Sequence, residues 1–340
     1  MPSTELPGIR AAAVSDWITA HVPGAARPYE VALISGGRSN LTYRVDDAAG
    51  HAWVLRRPPI GELLQTAHDM TREWDFISAL AGTDVPVPVS VGICDDTAVT
   101  GAPFYLTEWC PGTVLGDATV GATLAPDVRR TVALSTATVL GRLHTVDPSD
   151  VGLVDYARPG NYLARQLSRW QRQIHASLIT DLRLADEVHD LLVARVPDYP
   201  QTRIVHGDYR PGNAMYADTG ELVAVLDWEL ATLGDPLADL GWLLGSWAQP
   251  EDAEPSVTAT PTTAGGYPPR SVLIEAYVAA AGREPSDLEF YLAFARWRAA
   301  CVHAGVYTRD VERGRLTAGD DLNAAQQYVV ALLDAARSAL

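Results

Sequence analysis

One stretch constrains this chain more than any other. Val205-His206-Gly207-Asp208-Tyr209-Arg210-Pro211-Gly212-Asn213 lies between two runs that read as strands, Ile204–His206 and Ala214–Ala217, so it must form a tight loop. It carries a carboxylate and an amide five positions apart, Asp208 and Asn213. After a Thr219-Gly220 turn the apolar run Leu222–Leu226 ends in Asp227-Trp228-Glu229, with Asp227 fourteen residues beyond Asn213. An acid on a loop, an amide and a second acid at a strand end are a donor set suited to phosphoryl transfer. One acid orients and deprotonates a hydroxyl, while the amide and the other acid hold magnesium on a triphosphate.

The rest of the chain frames that loop. Residues 11–22 read as a short amphipathic helix. Tyr29–Ile34, Leu41–Val45 and His51–Arg56 read as strands, closed by Pro58-Pro59. A helix is expected over 66–81, from the spacing of Met70, Trp74, Ile77 and Leu80, and strands over 89–94 and 103–109. After Pro111-Gly112 long helices take over, at 126–146, 160–179, 182–196, 236–247, 270–281, 286–306 and 319–338. The Pro-, Thr- and Gly-rich residues 249–269 read as a mobile excursion. The expected class is α+β with two lobes, a small β-rich one over 1–108 and a larger helical one over 109–340, joined by a hinge near 108–112.

Charge narrows the function. All 26 basic residues are Arg, against 42 acids, for a net charge of −16 and a pI near 4.8. Nucleic acid and anionic membrane surfaces are therefore not expected partners. With no Lys in the chain, a Walker-A loop, Schiff-base chemistry and a Ser-Lys dyad are excluded, so any grip on phosphate must come from Arg or backbone N–H groups. Three cysteines without a C-x-x-C pair, no signal-peptide pattern and no 18-residue apolar run make a cytoplasmic location the expectation.

The D-x4-N spacing matches the protein-kinase catalytic loop, with His206-Gly207-Asp208 in place of His-Arg-Asp. The H-G-D form followed by L-D-W-E resembles the protein-kinase-like aminoglycoside phosphotransferase superfamily, which includes choline, fructosamine and homoserine kinases. Further motifs follow in order: Ile34-Ser-Gly-Gly-Arg-Ser39-Asn40-Leu-Thr-Tyr43, Val54-Leu-Arg-Arg-Pro-Pro59, Ala67-His-Asp-Met-Thr-Arg-Glu73, Pro103-Phe-Tyr-Leu-Thr-Glu108-Trp-Cys-Pro-Gly112 and Gly234-Asp-Pro236-Leu-Ala-Asp239-Leu. Together they resemble the kinase-like domain fused to some acyl-CoA dehydrogenases, over roughly residues 28–310.

The resemblance implies a protein-kinase-like fold and the following roles. Asp208 would accept or orient the acceptor hydroxyl, and Arg210 would touch the γ-phosphate. Asn213 and Asp227 would hold Mg2+. Arg56 would stand where kinases place their phosphate-binding Lys, with Glu73 as its ion-pair partner. Strand alternation makes Arg57 an equally eligible neighbour on the opposite face. Ser39 and Asn40 would cover the phosphates in place of the absent G-x-G-x-x-G loop. Glu108, Trp109 and Cys110 would present backbone groups to the base of ATP or GTP. His206 is expected to support the loop, Asp235 to cap the helix starting at Pro236, and His144 to be packed. The expected activity is ATP- or GTP- and magnesium-dependent phosphorylation of a small-molecule hydroxyl. The acceptor would be a hydroxyacyl compound or an amino sugar or amino alcohol. Arg270, Arg296 or Arg298 beside an apolar channel would suit the former, a ring of Asp and Glu the latter. The competing reading is a non-catalytic nucleotide-binding scaffold. The oligomeric state is not legible.

Overall fold

A computed structural model describes residues 6–36, 40–60, 70–197, 202–316 and 322–340. Contacts divide the chain into two units: Met1–Pro111 with Val223–Ala231, and Gly112–Leu222 with Thr232–Leu340. The short segment 223–231 thus belongs with the N-terminal residues, an interleaving that a division at a single position does not describe.

The first unit contains α1 (Ala11–His21), β1 (Tyr29–Gly36), β2 (Leu41–Asp47), β3 (Ala52–Arg57), α2 (Met70–Leu80), β4 (Ser90–Cys94), α3 (Thr97–Thr100) and β5 (Phe104–Glu108). The strands form one antiparallel sheet in the order β1-β2-β3-β5-β4. Burial alternates along β2 and β3, which sends Tyr43, Val45, Trp53 and Leu55 into a core with Val14 and Ile18 of α1 and Phe104 and Leu106 of β5. The same alternation separates Arg56 from Arg57, and the β3–β5 register sets Arg56 opposite Tyr105. On α2 the buried face carries Met70, Phe76, Ile77 and Leu80 and also Glu73. Phe76 stacks on Trp228, which is fully buried.

The second unit contains β6 (Thr113–Val114), α4 (Ala118–Ala122), α5 (Pro126–Thr145), α6 (Tyr162–His175), α7 (Arg183–Ala194), β7 (Arg203–Val205), β8 (Ala214–Tyr216), β9 (Leu222–Val225, whose last three residues count with the first unit), β10 (Thr232–Gly234), α8 (Leu237–Ser246), α9 (Arg270–Ala281), α10 (Leu288–Glu312) and α11 (Leu322–Ser338). Two antiparallel pairs, β7–β10 and β6–β8, bracket the loop of residues 206–213. Every residue of α8 is buried, as its nearly all-apolar composition demands. Gly241 lets it approach α10: a Cβ there would come 2.5 Å from the Tyr291 carbonyl oxygen.

Residues 249–269 are not the excursion their composition suggested. Val257, Thr260 and Thr262 are buried, Pro261 opens a short 3-10 turn, and Asp252 is clasped by Arg270 at 2.7 and 2.6 Å. Helix α10 runs six residues past the expected end at 306. Among the described residues no helix is long and apolar enough to cross a membrane.

Candidate active site

In the first unit three carboxylates converge on one guanidinium. Arg56 Nε lies 2.9 Å from Glu73 Oε2, and Nη2 donates to Asp227 Oδ1 and lies 3.7 Å from Glu229 Oε2. Glu73, its side chain 1% exposed, also accepts from Asn40 Nδ2 at 3.0 Å and from the Tyr105 hydroxyl at 2.9 Å. Asn40 reaches Glu229 as well, at 3.3 Å. Burial opposes the charge on Arg56, but Glu73 and the other acids outweigh it and hold the guanidinium above its ordinary range. Burial pushes the Glu73 carboxyl up, and Arg56 pulls it back. Tyr105 is pushed well up by burial and by Glu73, so its hydroxyl stays a donor.

Asp227 adopts a left-handed conformation, φ 65°, immediately before the 3-10 turn Trp228–Leu230. Such a backbone costs a non-glycine residue of the order of 1 kcal/mol. Here it turns the carboxylate back to Arg56. Arg57 serves a different purpose. It is 4% exposed on the other face of β3 and donates to the carbonyls of Gly8, Thr100 and Pro58. Only Arg56, of these two, shares the carboxylates.

At the end of β5, the Glu108 N–H donates to Val89 O at 2.9 Å and the Trp109 N–H to Ala52 O at 3.0 Å. The Glu108 side chain is exposed, and the Arg44 guanidinium lies 4.4 Å from the Trp109 ring centroid. Burial, then Glu108, push the Cys110 thiol up. Ser39 lies outside the described residues.

In the second unit the loop after β7 is pinned by its backbone. The N–H groups of His206 and Gly207 donate to Asp239 at 2.6 and 2.9 Å, and Arg298 donates to the Gly207 carbonyl. Gly207 has φ +85°, which favours glycine. His206 is buried and its Nδ1 accepts the Asp208 N–H at 3.2 Å, the supporting role expected of it. The Asp208 carboxylate then accepts from Asn213 Nδ2 at 2.7 Å on one oxygen and from the Trp242 indole at 2.7 Å on the other. Arg210 Nε stands 3.4 Å from Oδ1. Asn213 also ties its amide to the Asp208 carbonyl at 2.9 Å.

Behind the loop, Asp235 accepts from the Leu237 N–H at 3.0 Å, the expected cap, and from Tyr291 at 2.7 Å. Burial pushes it up to about 6. His144 is packed, its Nδ1 2.9 Å from the Tyr277 hydroxyl, and burial lowers its proton affinity.

Magnesium prefers hard oxygen donors. Asn213, with Nδ2 committed to Asp208, keeps its carbonyl oxygen, and Asp227 keeps Oδ2. Both fit the metal as single oxygen donors. The arginines weighed for an acyl acceptor are committed internally: Arg270 to Asp252 and the Leu244 carbonyl, Arg296 to Ala335 O, Arg298 to Gly207 O.

Sequence reasoning missed four contributors. Asp239 had a signal, an acid on an otherwise apolar helix four residues after Asp235. Glu229 was visible in L-D-W-E. Tyr105 and Trp242 carried none, since each is recruited by register or packing.

The profile of the phosphotransferase enzyme family matches residues 30–291. Mouse acyl-CoA dehydrogenase family member 10 is 34% identical over 288 residues, which is 84% of this chain and 27% of that protein. The chain thus spans about a quarter of that relative's length. A crystal structure from Ralstonia eutropha, provisionally assigned as an aminoglycoside phosphotransferase, superposes with a TM-score of 0.79 at 33% identity, covering 96% of this chain and 98% of its own. The GDP complex of wild-type aminoglycoside 2′-phosphotransferase-IIIa has a TM-score of 0.62 at 16% identity, covering 97% and 99%, a likeness of fold alone. The α+β, protein-kinase-like two-lobe class is the one observed.

Proposed function

Because the chain belongs to the phosphotransferase enzyme family, we propose that it transfers the γ-phosphoryl group of ATP or GTP, with Mg2+, to a hydroxyl of a small molecule. The observation that carries this reading is the buried Arg56–Glu73 pair with Asp227 on the same guanidinium. Arg56 would grip the nucleotide phosphates, with Glu73, Asn40 and Tyr105 fixing its direction. Arg suits that task because its fork reaches a carboxylate and a phosphate at once. Ser39 and Asn40 would cover the phosphates, and backbone groups of Glu108 and Cys110 would take the base. Asn213 and Asp227 would hold the metal, which neutralises charge on the phosphates. Asp208 would orient the acceptor hydroxyl and take its proton, while Arg210 would meet the charge on the transferred group. Catalysis would rest on positioning and charge stabilisation.

For the acceptor we favour a hydroxyacyl compound over an amino sugar or amino alcohol. Its support is that relatives at about a third identity are longer acyl-CoA dehydrogenase family proteins, of which this chain matches a segment. The GDP-bound neighbour leaves ATP and GTP both in play.

The test is thermal stabilisation by nucleotide with magnesium, followed by phosphate transfer to a panel of hydroxyacyl thioesters and aminoglycosides. Expected are a nucleotide-dependent rise in Tm and phosphorylation of the thioesters. Nucleotide binding with no transfer to any acceptor would favour the non-catalytic scaffold, and phosphorylated aminoglycosides the other acceptor class. Asp208→Asn should keep the fold and abolish turnover.

A further inference from the structure

Each oxygen of the Asp208 carboxylate takes a short hydrogen bond from a neutral donor, while the charged Arg210 Nε stands farther off, at 3.4 Å from Oδ1 and 3.5 Å from Oδ2. Oδ2 accepts from Asn213, within the same loop, and Oδ1 from the Trp242 indole on α8, thirty-four residues away, each at 2.7 Å. A carboxylate offers about four lone-pair directions. Two are therefore taken by fixed donors, and the plane of the group is set before any acceptor arrives.

The indole is itself immobilised. Trp242 is 5% exposed on a helix buried along its whole length. The Arg298 guanidinium lies 4.4 Å from its ring centroid and 5.2 Å from that of Trp170 on α6, and it donates to the carbonyl of Gly207, the residue before Asp208. One arginine thus fixes both the indole and the loop backbone. The donor type matters chemically. An indole N–H donates without bringing charge, so the closest contact on Oδ1 orients the group without adding a second cation to Arg210, whose Nε stands at 3.4 Å.

We propose that Trp242, clamped by Arg298, is a positioning residue that aims the Asp208 carboxylate, a role that rests on the reading of Asp208 as the catalytic acid. It acts through Asp208 and touches neither nucleotide nor acceptor.

The experiment uses the full chain with magnesium-ATP as the probe and water as acceptor, measured as phosphate release, alongside NMR of 15N-indole-labelled tryptophan. Trp242→Phe keeps the ring and removes the N–H. Assayed well below its Tm, which should fall by several degrees with the lost bond and the smaller ring, it should lower kcat roughly tenfold, the worth of one hydrogen bond in the transition state, with KM for magnesium-ATP unchanged. Its spectrum identifies the Trp242 indole resonance by loss. In Asp208→Asn that resonance should shift upfield as a charged acceptor becomes a neutral one, while Asp208→Asn abolishes phosphate release. If Asp208→Asn retains normal release, the reading of Asp208 itself fails. If Asp208→Asn is inactive and Trp242→Phe matches the wild-type kcat, the positioning role fails and the catalytic reading stands. A Trp242→Phe protein that loses kcat only as the assay temperature nears its Tm marks a structural role and overturns the proposal. Should Trp242→Phe not fold, Trp242→His, which retains a ring N–H, identifies the resonance. An unmoved indole resonance in Asp208→Asn is then the overturning result.

Discussion

Asp239→Asn puts the loop geometry to a quantitative test. Asp239 is 1% exposed and accepts the N–H groups of His206 and Gly207 at 2.6 and 2.9 Å on its two oxygens. An asparagine has one acceptor oxygen. It keeps one of these bonds, weakened by loss of charge, and turns an NH2 donor toward the other N–H. A charge-assisted hydrogen bond contributes about 1.5–3 kcal/mol, and a stranded buried donor costs about 1–3 kcal/mol. The expected loss is therefore about 2–4 kcal/mol. For a unit of roughly 220 residues that is a fall in Tm of about 5–10 °C. Amide hydrogen exchange reads the cause directly: the amides of 206 and 207 should exchange roughly thirtyfold faster or more, in excess of amides in α11. A Tm within a degree of wild type and unchanged exchange at 206 and 207 would refute the claim that Asp239 holds this loop.

Further outcomes follow from the same contacts. Arg56→Met strands Glu73, buried at 1%, and should cost about 3–5 kcal/mol in chemical unfolding, whereas Arg56→Lys restores the charge and should recover part of it. If Arg56→Met is as stable as wild type, Glu73 does not depend on the pair. Tyr105→Phe removes the 2.9 Å donor to Glu73 and should cost about 1.5–3 kcal/mol in the same measurement; no loss would mean the hydroxyl is not needed. For pH, Asp235 binds its proton more tightly folded, near 6, than unfolded, near 3.8. Its contribution is full below about 4 and is lost as pH rises through 6, by up to about 3 kcal/mol. His144, lowered by burial, works the other way, adding stability as pH rises toward its unfolded value. Asp235→Asn isolates the first effect: its Tm should gain on wild type between pH 4 and 7, and a constant difference would contradict the assignment.

Much of this molecule is legible in its sequence, for identifiable reasons. The long helices declare themselves because α6, α7 and α11 each sustain an apolar period over two turns or more, and α8 is a nearly unbroken apolar run. The pairing of Asp208 with Asn213 follows from spacing on one tight loop. Elements of two to five residues, β6, β10, α3 and α4, are too short to show a period. Residues 249–269 mislead because their order comes from distant partners: Arg270 takes Asp252, and Tyr328 donates to the Ser256 carbonyl. The choice between Arg56 and Arg57 depended on which face of β3 meets Glu73, a fact of sheet packing. Trp242 is invisible for the same reason, since its partner is fixed only once α8 and the loop after β7 are packed.

The guanidinium of Arg56 also has a chemical consequence. Amines react with activated acyl groups; guanidinium groups at neutral pH do not. If the acceptor is a thioester, as proposed above, a lysine in the place of Arg56 would be open to acylation by it. This chain has no side-chain amine to lose. Prolonged exposure to an acyl thioester should leave Arg56 unmodified by peptide mass spectrometry and turnover intact; an adduct at that position would show the protection to be illusory.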